Sequence, residues 1–340
     1  MKIIFNGVIE TQTMNDQEIK IVIAGAGFGG VRCALDLSRA RLPKNASITL
    51  VNQSPHFEFT PSLYRIVAGA SPAEVCVPMY DIFKQSRVSF VEDAIVGADI
   101  SARTLIGSSG AYSYDYAVLA LGGEINYFGI PGLQEFAYPF RSINNALVLA
   151  RRLHQITTQC ITGSKDAKVC NGHIIVVGGG PSGVELAAKI ALWSRTLFKQ
   201  HRVDPSFLTI DLCEAGPRLL SMMHKEVARK VQNRLQSMGV NIFLNRRLVK
   251  EDIDKVYIND MESRAKTVVW TAGTQPNQVY RNIQGLQFDK KGKVLVNEYL
   301  EAKGLNNFFV VGDAASTSHS GTAQTALYDG GFAARVIASR

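Results

Sequence analysis

The sequence has little of what would mark a membrane-spanning or metal-binding chain. No stretch of its 340 residues reaches the roughly 18 consecutive apolar residues that a spanning helix needs, so we expect that the chain as given does not cross a membrane. Its five cysteines include no CxxC pair, and its six histidines show no HExxH or HxxxH spacing. We therefore expect no metal site.

A signal peptide and a dense basic run are also missing. The first residues, "MKIIFNGVIETQTMNDQE", turn acidic and polar after a very short apolar stretch, which predicts an N-terminal extension over 1–18 and leaves Met14 open as the true start. The net charge of +8 comes from Lys and Arg spread along the chain. It would suit anionic cofactors or an anionic membrane surface, and we expect no nucleic-acid partner.

What is present begins with a glycine-rich turn between a strand and a helix. The apolar run "IKIVIA" predicts a buried strand, "GAGFGG" a turn, and "VRCALDLSRAR" a helix. Gly25 allows the tight turn, Gly27 lets the backbone approach a pyrophosphate, and Gly30 lets helix and strand pack closely. The phosphates would lie at the helix N-terminus, where free N–H groups and the helix dipole favour negative charge.

The next predicted strand, "SITLVNQ", ends in Asn52. A carboxylate normally accepts hydrogen bonds from the ribose hydroxyls at this position. The Asn52 amide oxygen can accept one such bond, so we expect a weakened ribose contact.

A second unit repeats the pattern more fully. "HIIVV" predicts a strand, "GGGPSG" a turn with Gly178, Gly180 and Gly183, and "VELAAKIALWSR" a helix. The following strand ends in Glu214, whose carboxylate would accept from both ribose hydroxyls and repel a 2′-phosphate. We therefore expect NADH rather than NADPH, although Arg218 could soften that preference.

Two fingerprints fit two independent domains, a duplicated NAD enzyme, or one protein that holds two dinucleotides against each other. Strands that end in glycine flank the second unit, in "YDYAVLALGG" before it and "KTVVWTAG" after it. We interpret these as crossovers and predict that the second unit is inserted into the first. The strand in "LNNFFVVGDAAS" ends at Gly312, and Asp313 would suit hydrogen bonding to the ribityl chain of a flavin.

An ordered set of segments then resembles type II (non-proton-pumping) NADH:quinone oxidoreductases, members of the pyridine nucleotide-disulfide oxidoreductase superfamily. The resemblance covers roughly residues 19 to 340 and rests on "GAGFGG", "FEFTPSLYRIVAG", "NYFGIPG", "VVGGGPSGVELA", "EAGPRLL", "VVWTAGTQPN", "VLVNEYLEAKGLNNFFVVGDAAS" and "TAQTALYDGG". It implies an α/β fold of two Rossmann-like domains, with FAD in residues 19–140 and 269–340 and NADH in residues 141–268. Hydride would pass from NADH to flavin N5, and the electrons would pass on to a quinone.

The resemblance also implies roles for individual residues. On the FAD side it matches the diphosphate turn, the segment beside the isoalloxazine ring, the strand at the adenine, the crossover and the flavin-side aspartate, which are Gly25, Gly27, Phe28, Gly29, Gly30, Thr60, Pro61, Ala94, Ile95, Gly122 and Asp313. On the NADH side it matches Gly178, Gly180, Pro181, Ser182, Gly183, Glu214, Ala272 and Gly273. Glu185 is a proton-handling candidate, with a bland role at the helix dipole as the alternative, and Gln324 matches the glutamine beside the ring and the quinone.

The sequence departs from the family in two places. The family continues the position of Gln324 with a pair of amide side chains where this chain has Tyr328 and Asp329, which leaves the electron acceptor open. Family members also continue into membrane-binding helices, whereas this sequence stops at Arg340, so either the sequence is truncated or the enzyme is a soluble variant. A peripheral membrane contact and a homodimer stay open, and we expect a cytoplasmic location, at the inner face of the cell membrane if such a contact forms.

Rival functions are a soluble NADH:acceptor reductase with a non-quinone acceptor and a non-catalytic NADH-binding flavoprotein that senses redox state. Sulfide:quinone oxidoreductases and disulfide reductases need paired redox cysteines, and this chain has none at the matching positions.

Overall fold

The computed structural model describes residues 18–163, 172–259 and 261–340. Met14 and all but the last residue of the predicted extension 1–18 lie outside this part of the chain.

The described residues form strands and helices that alternate through most of the chain. The strands are β1 Ile19–Ala24, β2 Ala46–Asn52, β3 His56–Glu58, β4 Cys76–Pro78, β5 Val88–Glu92, β6 Ile95–Asp99, β7 Thr104–Gly107, β8 Ala111–Ser113, β9 Tyr116–Leu119, β10 Gly123–Ile125, β11 Tyr138–Pro139, β12 His173–Val177, β13 Thr209–Cys213, β14 Val240–Phe243, β15 Leu248–Glu251, β16 Lys255–Ile258, β17 Met261–Arg264, β18 Thr267–Trp270, β19 Thr274–Pro276, β20 Val294–Leu295, β21 Phe308–Val310 and β22 Ala315–Ser316. The α-helices are α1 Phe28–Arg39, α2 Tyr64–Val67, α3 Met79–Phe83, α4 Leu133–Phe136, α5 Ile143–Thr162, α6 Pro181–His201, α7 Lys225–Ser237 and α8 Ala323–Ala338. Short 3-10 helices lie at Thr60–Ser62, Pro72–Glu74, Pro205–Phe207, Gln278–Asn282 and Gly312–Ala314.

The first large sheet is parallel and has the strand order β21-β9-β1-β2-β5. Its central strand is apolar on both faces. Ile21 and Ile23 pack in one cluster with α1 and α8, while Val22 and Ala24 belong to a second cluster on the opposite face. This burial on both faces explains why the strand has an unbroken apolar run rather than an alternating pattern.

The second large sheet repeats this architecture with the order β11-β18-β12-β13-β14, again all parallel. Ile174 and Val176 pack with the buried faces of α5 and α6. Ile175 and Val177 face the other side, where residues of the β15-β16-β17 sheet complete the cluster. The predicted α/β fold with two Rossmann-like units is therefore confirmed.

Two short strands connect the large sheets. β10 leaves the first unit, β19 returns to it, and the two pair antiparallel. β11 and β18 pair with each other in the second sheet, so sheet hydrogen bonding favours domain limits beside β10 and β19. These strands lie about 15 residues before the limit expected at 140/141 and about 6 residues after the one expected at 268/269. The domain division stays a prediction.

Within the described ranges, no helix is long and apolar enough to cross a membrane. The same part of the chain holds no group of three or more His, Cys, Asp and Glu side chains arranged to bind a metal ion.

Candidate cofactor cleft and neighbouring cavity

The first glycine turn has the shape that phosphate binding requires. Gly25 has a φ of +96°, a conformation that favours glycine. A Cβ atom on Gly30 would lie 1.8 Å from the Gly25 carbonyl oxygen, whereas a Cβ on Gly27 would meet nothing within 4 Å. The turn is therefore closed where helix meets strand and open at the N-terminus of α1, so it fits a bound diphosphate.

The second turn has the same geometry. Gly178 has a φ of +119°, and a Cβ on Gly183 would lie 1.9 Å from the Gly178 carbonyl oxygen. Gly180 is the N-cap of α6, with Pro181 in the first turn and open space where a Cβ would stand. This turn also fits a diphosphate at a helix N-terminus.

A side chain from the neighbouring strand braces each turn. The Asn52 amide oxygen accepts a hydrogen bond from the Ala26 N–H at 2.9 Å, and its Nδ2 donates to the Ser54 carbonyl at 2.8 Å. Glu214 accepts through both carboxylate oxygens, from the Gly179 and Gly216 N–H groups, each at 2.6 Å. An amide or carboxylate oxygen has two lone pairs, so both side chains retain capacity for a ribose hydroxyl.

Arg218, which could have favoured a 2′-phosphate, is engaged within its own loop. Its guanidinium donates to the main-chain carbonyls of Leu220, Ser221 and Met223. The loop is in turn fixed to the glycine turn, because the Leu220 N–H donates to the Gly179 carbonyl at 2.8 Å. The guanidinium of Arg218 is therefore held against main-chain carbonyls of its own loop.

Both units open onto one cleft of about 610 Å³, within the size range of small-molecule sites. The predicted residues that line it come from the first turn, the segment after β3, the first crossover, the start of α6 and the end of β21: Gly27, Phe28, Gly29, Asn52, Thr60, Pro61, Gly122, Pro181, Ser182, Glu185 and Asp313. The start of α8 closes one side through Thr322, Ala323 and Ala326. The structure thus brings together residues that are far apart in the sequence.

The other predicted residues lie behind or beside this cleft. Gly25, Gly30, Gly178, Gly180 and Gly183 shape the two turns, and Glu214 braces the second. Gly273, next to Ala272 at the second crossover, has a φ of +73°, and a Cβ there would lie 2.5 Å from the Phe128 ring. Ala94 and Ile95 follow Asp93, whose N–H donates to the Asn52 carbonyl at 3.0 Å, so they lie at the end of β2 without lining the cleft.

Two charged residues that the sequence analysis missed also line the cleft. The Glu58 carboxylate accepts from the Ile143 N–H at the start of α5, at 3.1 Å. Arg141 forms an ion pair with Asp313 at 3.2 Å and donates through Nε to the Gly123 carbonyl at 3.1 Å. The motif segments gave no signal for either contact, because each joins residues far apart in the chain.

Glu185 lies in the first turns of α6, with its side chain exposed to the cleft. The surrounding walls partly remove it from water and raise the pKa of its carboxyl above the ordinary value. A carboxyl with a raised pKa keeps its proton to a higher pH than an ordinary glutamate does.

A second cavity, of about 770 Å³, lies beside α8. Gln324, Tyr328 and Asp329 line it, and Tyr328 stacks on Phe332 with ring centroids 6.4 Å apart. Burial raises the pKa of Asp329, although its carboxylate accepts from the Gly312 N–H at 3.1 Å. Thr322 lines both the cleft and this cavity, so the start of α8 forms the boundary between them.

The chain is similar to known proteins in sequence and in fold. The family model "Pyridine nucleotide-disulphide oxidoreductase" matches residues 19–330. The NADH dehydrogenase-like protein YutJ of Bacillus subtilis is 29% identical, over 90% of this chain and 79% of its own length. Type II NADH:quinone oxidoreductase Ndh of Mycobacterium tuberculosis is 30% identical, over 94% of this chain and 72% of its own.

The fold is also similar to that of a solved structure, NDH2 from Plasmodium falciparum in complex with NADH. The TM-score is 0.80 at 22% identity, over 88% of this chain. This chain spans 65% of that protein, slightly less than two thirds. At this level of identity the similarity supports the fold.

Proposed function

Because the chain belongs to the pyridine nucleotide-disulphide oxidoreductase family, we propose that it is a FAD-dependent enzyme that oxidises NADH and passes the electrons to a quinone. The observation that carries this proposal is the shared cleft, onto which the first glycine turn and the start of α6 both open. Two dinucleotides bound at these turns would meet with their reactive ends inside it. The relatives named type II NADH:quinone oxidoreductase support the choice of donor and acceptor.

We assign FAD to the first unit, where it would supply the hydride-accepting and electron-donating chemistry when bound. The residues of the chain would bind and orient it. The first turn and α1 would hold the diphosphate, Asn52 the ribose, Thr60 and Pro61 the ring segment, and Asp313 the ribityl hydroxyls. Gly122 would add a main-chain contact within the cleft, and Ala94 and Ile95, which lie outside the cleft at the end of β2, would add main-chain contacts to the adenine.

We assign NADH to the second unit. The turn Gly178–Gly183 and the start of α6 would hold its diphosphate, with Pro181 and Ser182 at the cleft. Glu214 would accept from the ribose hydroxyls and disfavour a 2′-phosphate by repulsion. Ala272 and Gly273 would let the backbone pass close to the nicotinamide half.

Glu185 is the proposed proton-handling residue, because its carboxyl faces the cleft and its pKa is raised by partial burial. The N-terminus of α8 points toward the cleft through Thr322 and Ala323, and its free N–H groups would favour negative charge on a bound reduced cofactor.

We place the electron acceptor in the second cavity, which holds Gln324 and adjoins the cleft at Thr322. Its walls combine the stacked rings of Tyr328 and Phe332 with polar groups such as His319, a mixture suited to a flat ring with carbonyl oxygens. A non-quinone acceptor or a sensing role is the alternative, since Tyr328 and Asp329 replace the amide pair of the resembled family. A cytoplasmic location, a peripheral membrane contact and a homodimer stay predictions.

The test is an anaerobic mixing experiment on the purified protein. We expect a yellow protein whose flavin absorbance is bleached quickly by NADH and slowly by NADPH. A quinone added afterwards should restore the colour faster than oxygen does, and ferricyanide serves as the non-quinone control.

Each failure has its own meaning. A protein that is colourless and takes up no added FAD would remove the flavin assignment. Rapid bleaching by NADH with recovery by ferricyanide and not by quinone would point to another acceptor. Slow bleaching with a long-lived complex of reduced flavin and NAD⁺ would favour the sensor.

A further inference from the structure

Arg141 is the one Lys or Arg side chain among the described residues that line the cleft. The other charged groups there are three carboxylates, those of Glu58, Glu185 and Asp313. A hydrogen bond between an Arg and a carboxylate is stronger than a neutral one and has a defined geometry. Arg141 can therefore hold the carboxylate that it contacts in one orientation.

The guanidinium of Arg141 joins three separate segments of the chain. Its Nη2 lies 3.2 Å from Asp313 Oδ2, and its Nε donates to the Gly123 carbonyl at 3.1 Å. Gly123 begins β10, which leaves the first unit, and Asp313 follows β21, which completes the first sheet. The planar guanidinium fork fixes both contacts at once, which a flexible ammonium group does less well.

The backbone that carries Arg141 is itself held against the first unit. Glu58, at the end of β3, accepts from the Ile143 N–H at 3.1 Å, and the Ser142 hydroxyl caps α5 by accepting from the Asn145 N–H at 3.2 Å. The backbone of Arg141 is therefore held beside the first unit, with its side chain within reach of Asp313.

The ion pair is partly removed from solvent. The Arg141 and Asp313 side chains retain 34% and 29% of their exposed area, and both face the cleft. A pair in such a position is less screened than one on an open surface, where an ion pair contributes little. It would be shielded further by any ligand that fills the cleft.

We propose that Arg141 is a positioning residue of the flavin site, which holds the Asp313 carboxylate in the orientation that receives the ribityl hydroxyls. Through its place at the start of α5, it also ties the inserted unit to that carboxylate. This inference rests on the proposed function, because it assumes that FAD occupies this cleft.

The test measures the FAD dissociation constant of apoprotein, by flavin fluorescence quenching, for a set of variants. We expect R141Q to weaken FAD binding about tenfold, which corresponds to roughly 1.4 kcal/mol. R141K should weaken it about threefold, since an ammonium can pair with Asp313 but lacks the fork geometry. In a D313N background, R141Q should raise the FAD dissociation constant less than about twofold, because Arg141 would act through Asp313.

R152Q is the matched control. Arg152 lies on α5, where its Nε donates to Thr267 Oγ1 at 3.0 Å and its Nη2 to the Lys266 carbonyl at 3.2 Å, so it also bridges two elements, away from the cleft. We expect its FAD dissociation constant to match that of the wild type. Thermal unfolding of each apoprotein separates a loss of folding from a loss of binding.

If R141Q weakens FAD binding by the same factor in the wild-type and D313N backgrounds, the proposal is overturned, because Arg141 would then act independently of Asp313. If D313N binds too weakly to be measured, the series of wild type, R141K, R141Q and R152Q decides, and four equal constants would overturn it. A wild type that binds no FAD would instead contradict the proposed function.

Discussion

The glycine turns before α1 and α6 have nearly the same backbone shape and differ in the side chain that braces them. The first glycine of each has a positive φ, +96° at Gly25 and +119° at Gly178. The last glycine lies so close to the first that a Cβ would fall 1.8 Å or 1.9 Å from its carbonyl oxygen. Backbone sterics therefore explain what the two turns share.

The two turns differ in the side chain that accepts their hydrogen bonds. At the first turn the neutral Asn52 accepts from the Ala26 N–H at 2.9 Å. At the second turn the charged Glu214 accepts from the equivalent Gly179 N–H at 2.6 Å and also from the Gly216 N–H in its own loop. Hydrogen bonds to a charged acceptor are shorter and stronger than those to a neutral one. In the proposed assignment, the same backbone would hold two nucleotides, with a negative charge at the ribose of only one.

The largest expected effect comes from adding a Cβ to the last glycine of each turn, where helix and strand are in contact. A Cβ at Gly183 would force α6 away from β12, and a displacement of about 1 Å at a reacting centre can cost about a hundredfold in rate. We expect G183A to keep its flavin and to lose about that factor in bleaching by NADH, measured by anaerobic stopped flow. G30A should instead be purified without flavin, which absorbance spectra would show.

G97A is the control for both variants, because a Cβ at Gly97 in β6 would meet nothing within 4 Å. It should retain flavin and normal bleaching. Loss of flavin from G183A, or a yellow G30A that is slow only with NADH, would reverse the assignment of the two turns.

The next expected effect concerns the charge difference between the braces. E214Q keeps the shape of the side chain and removes the charge that would repel a 2′-phosphate. We expect the ratio of bleaching rates with NADH and NADPH to fall about tenfold, the equivalent of roughly 1.4 kcal/mol. N52D adds a charge at the first turn and should leave this ratio unchanged, so a shift in N52D and none in E214Q would contradict the assignment.

Much of the fold was predictable from the sequence, because its signals are local. The strands before Gly25 and Gly178 are short apolar runs, the glycines follow at once, and helical spacing comes next, so each unit could be placed by pattern alone. The insertion of one unit in the other also left a local trace, since the strands on both sides of the second unit end in glycine.

The charged contacts within the cleft were not predictable in this way. Arg141 and Asp313 are 172 positions apart, and neither the residues around Arg141 nor their spacing indicates the partner. The predicted ribose contact of Asn52 also took no account of the Ala26 N–H. Only the folded turn shows that this N–H occupies one lone pair of the Asn52 amide oxygen. Long-range pairing depends on topology, which a local pattern does not contain.

A smaller effect is expected from a charge difference between α1 and α6. Two residues after the last glycine of the turn, α6 has Glu185 and α1 has Arg32. Arg32 pairs with Asp36 at 2.7 Å on the helix surface. Because the pKa of Glu185 is raised, its carboxyl should lose its proton at a higher pH than an ordinary glutamate. We expect the bleaching rate with NADH to change about fivefold across that ionisation.

E185Q should give a pH-independent rate over the same range, measured at saturating NADH. R32Q is the matched variant on α1 and should keep the wild-type profile. If the bleaching rate of E185Q has the same pH dependence as that of the wild type, Glu185 would only interact with the dipole of α6.

The smallest expected effect is a pH dependence of stability that arises near the amino ends of β12 and β13 in the second sheet. His173 Nε2 lies 2.7 Å from Asp211 Oδ2, and this hydrogen bond raises the pKa of the imidazole above its ordinary value of 6.5. Since the pKa is raised in the folded state, the stabilisation is complete below the pKa of the unfolded chain and is lost as the pH rises through the folded pKa. In the first sheet the same register position holds Lys20, whose Nζ donates to the Ser113 hydroxyl.

We therefore expect the difference in unfolding temperature between wild type and H173Q to be largest near pH 6 and to shrink by about 2 °C as the pH rises past the folded pKa. Differential scanning calorimetry at a series of pH values would measure it. K20Q should differ from the wild type by a constant amount across the series, because Lys20 Nζ contacts a serine hydroxyl and not a carboxylate. If the H173Q difference were equally constant, folding would leave the pKa of His173 unchanged, and the second sheet would have no pH dependence that the first lacks.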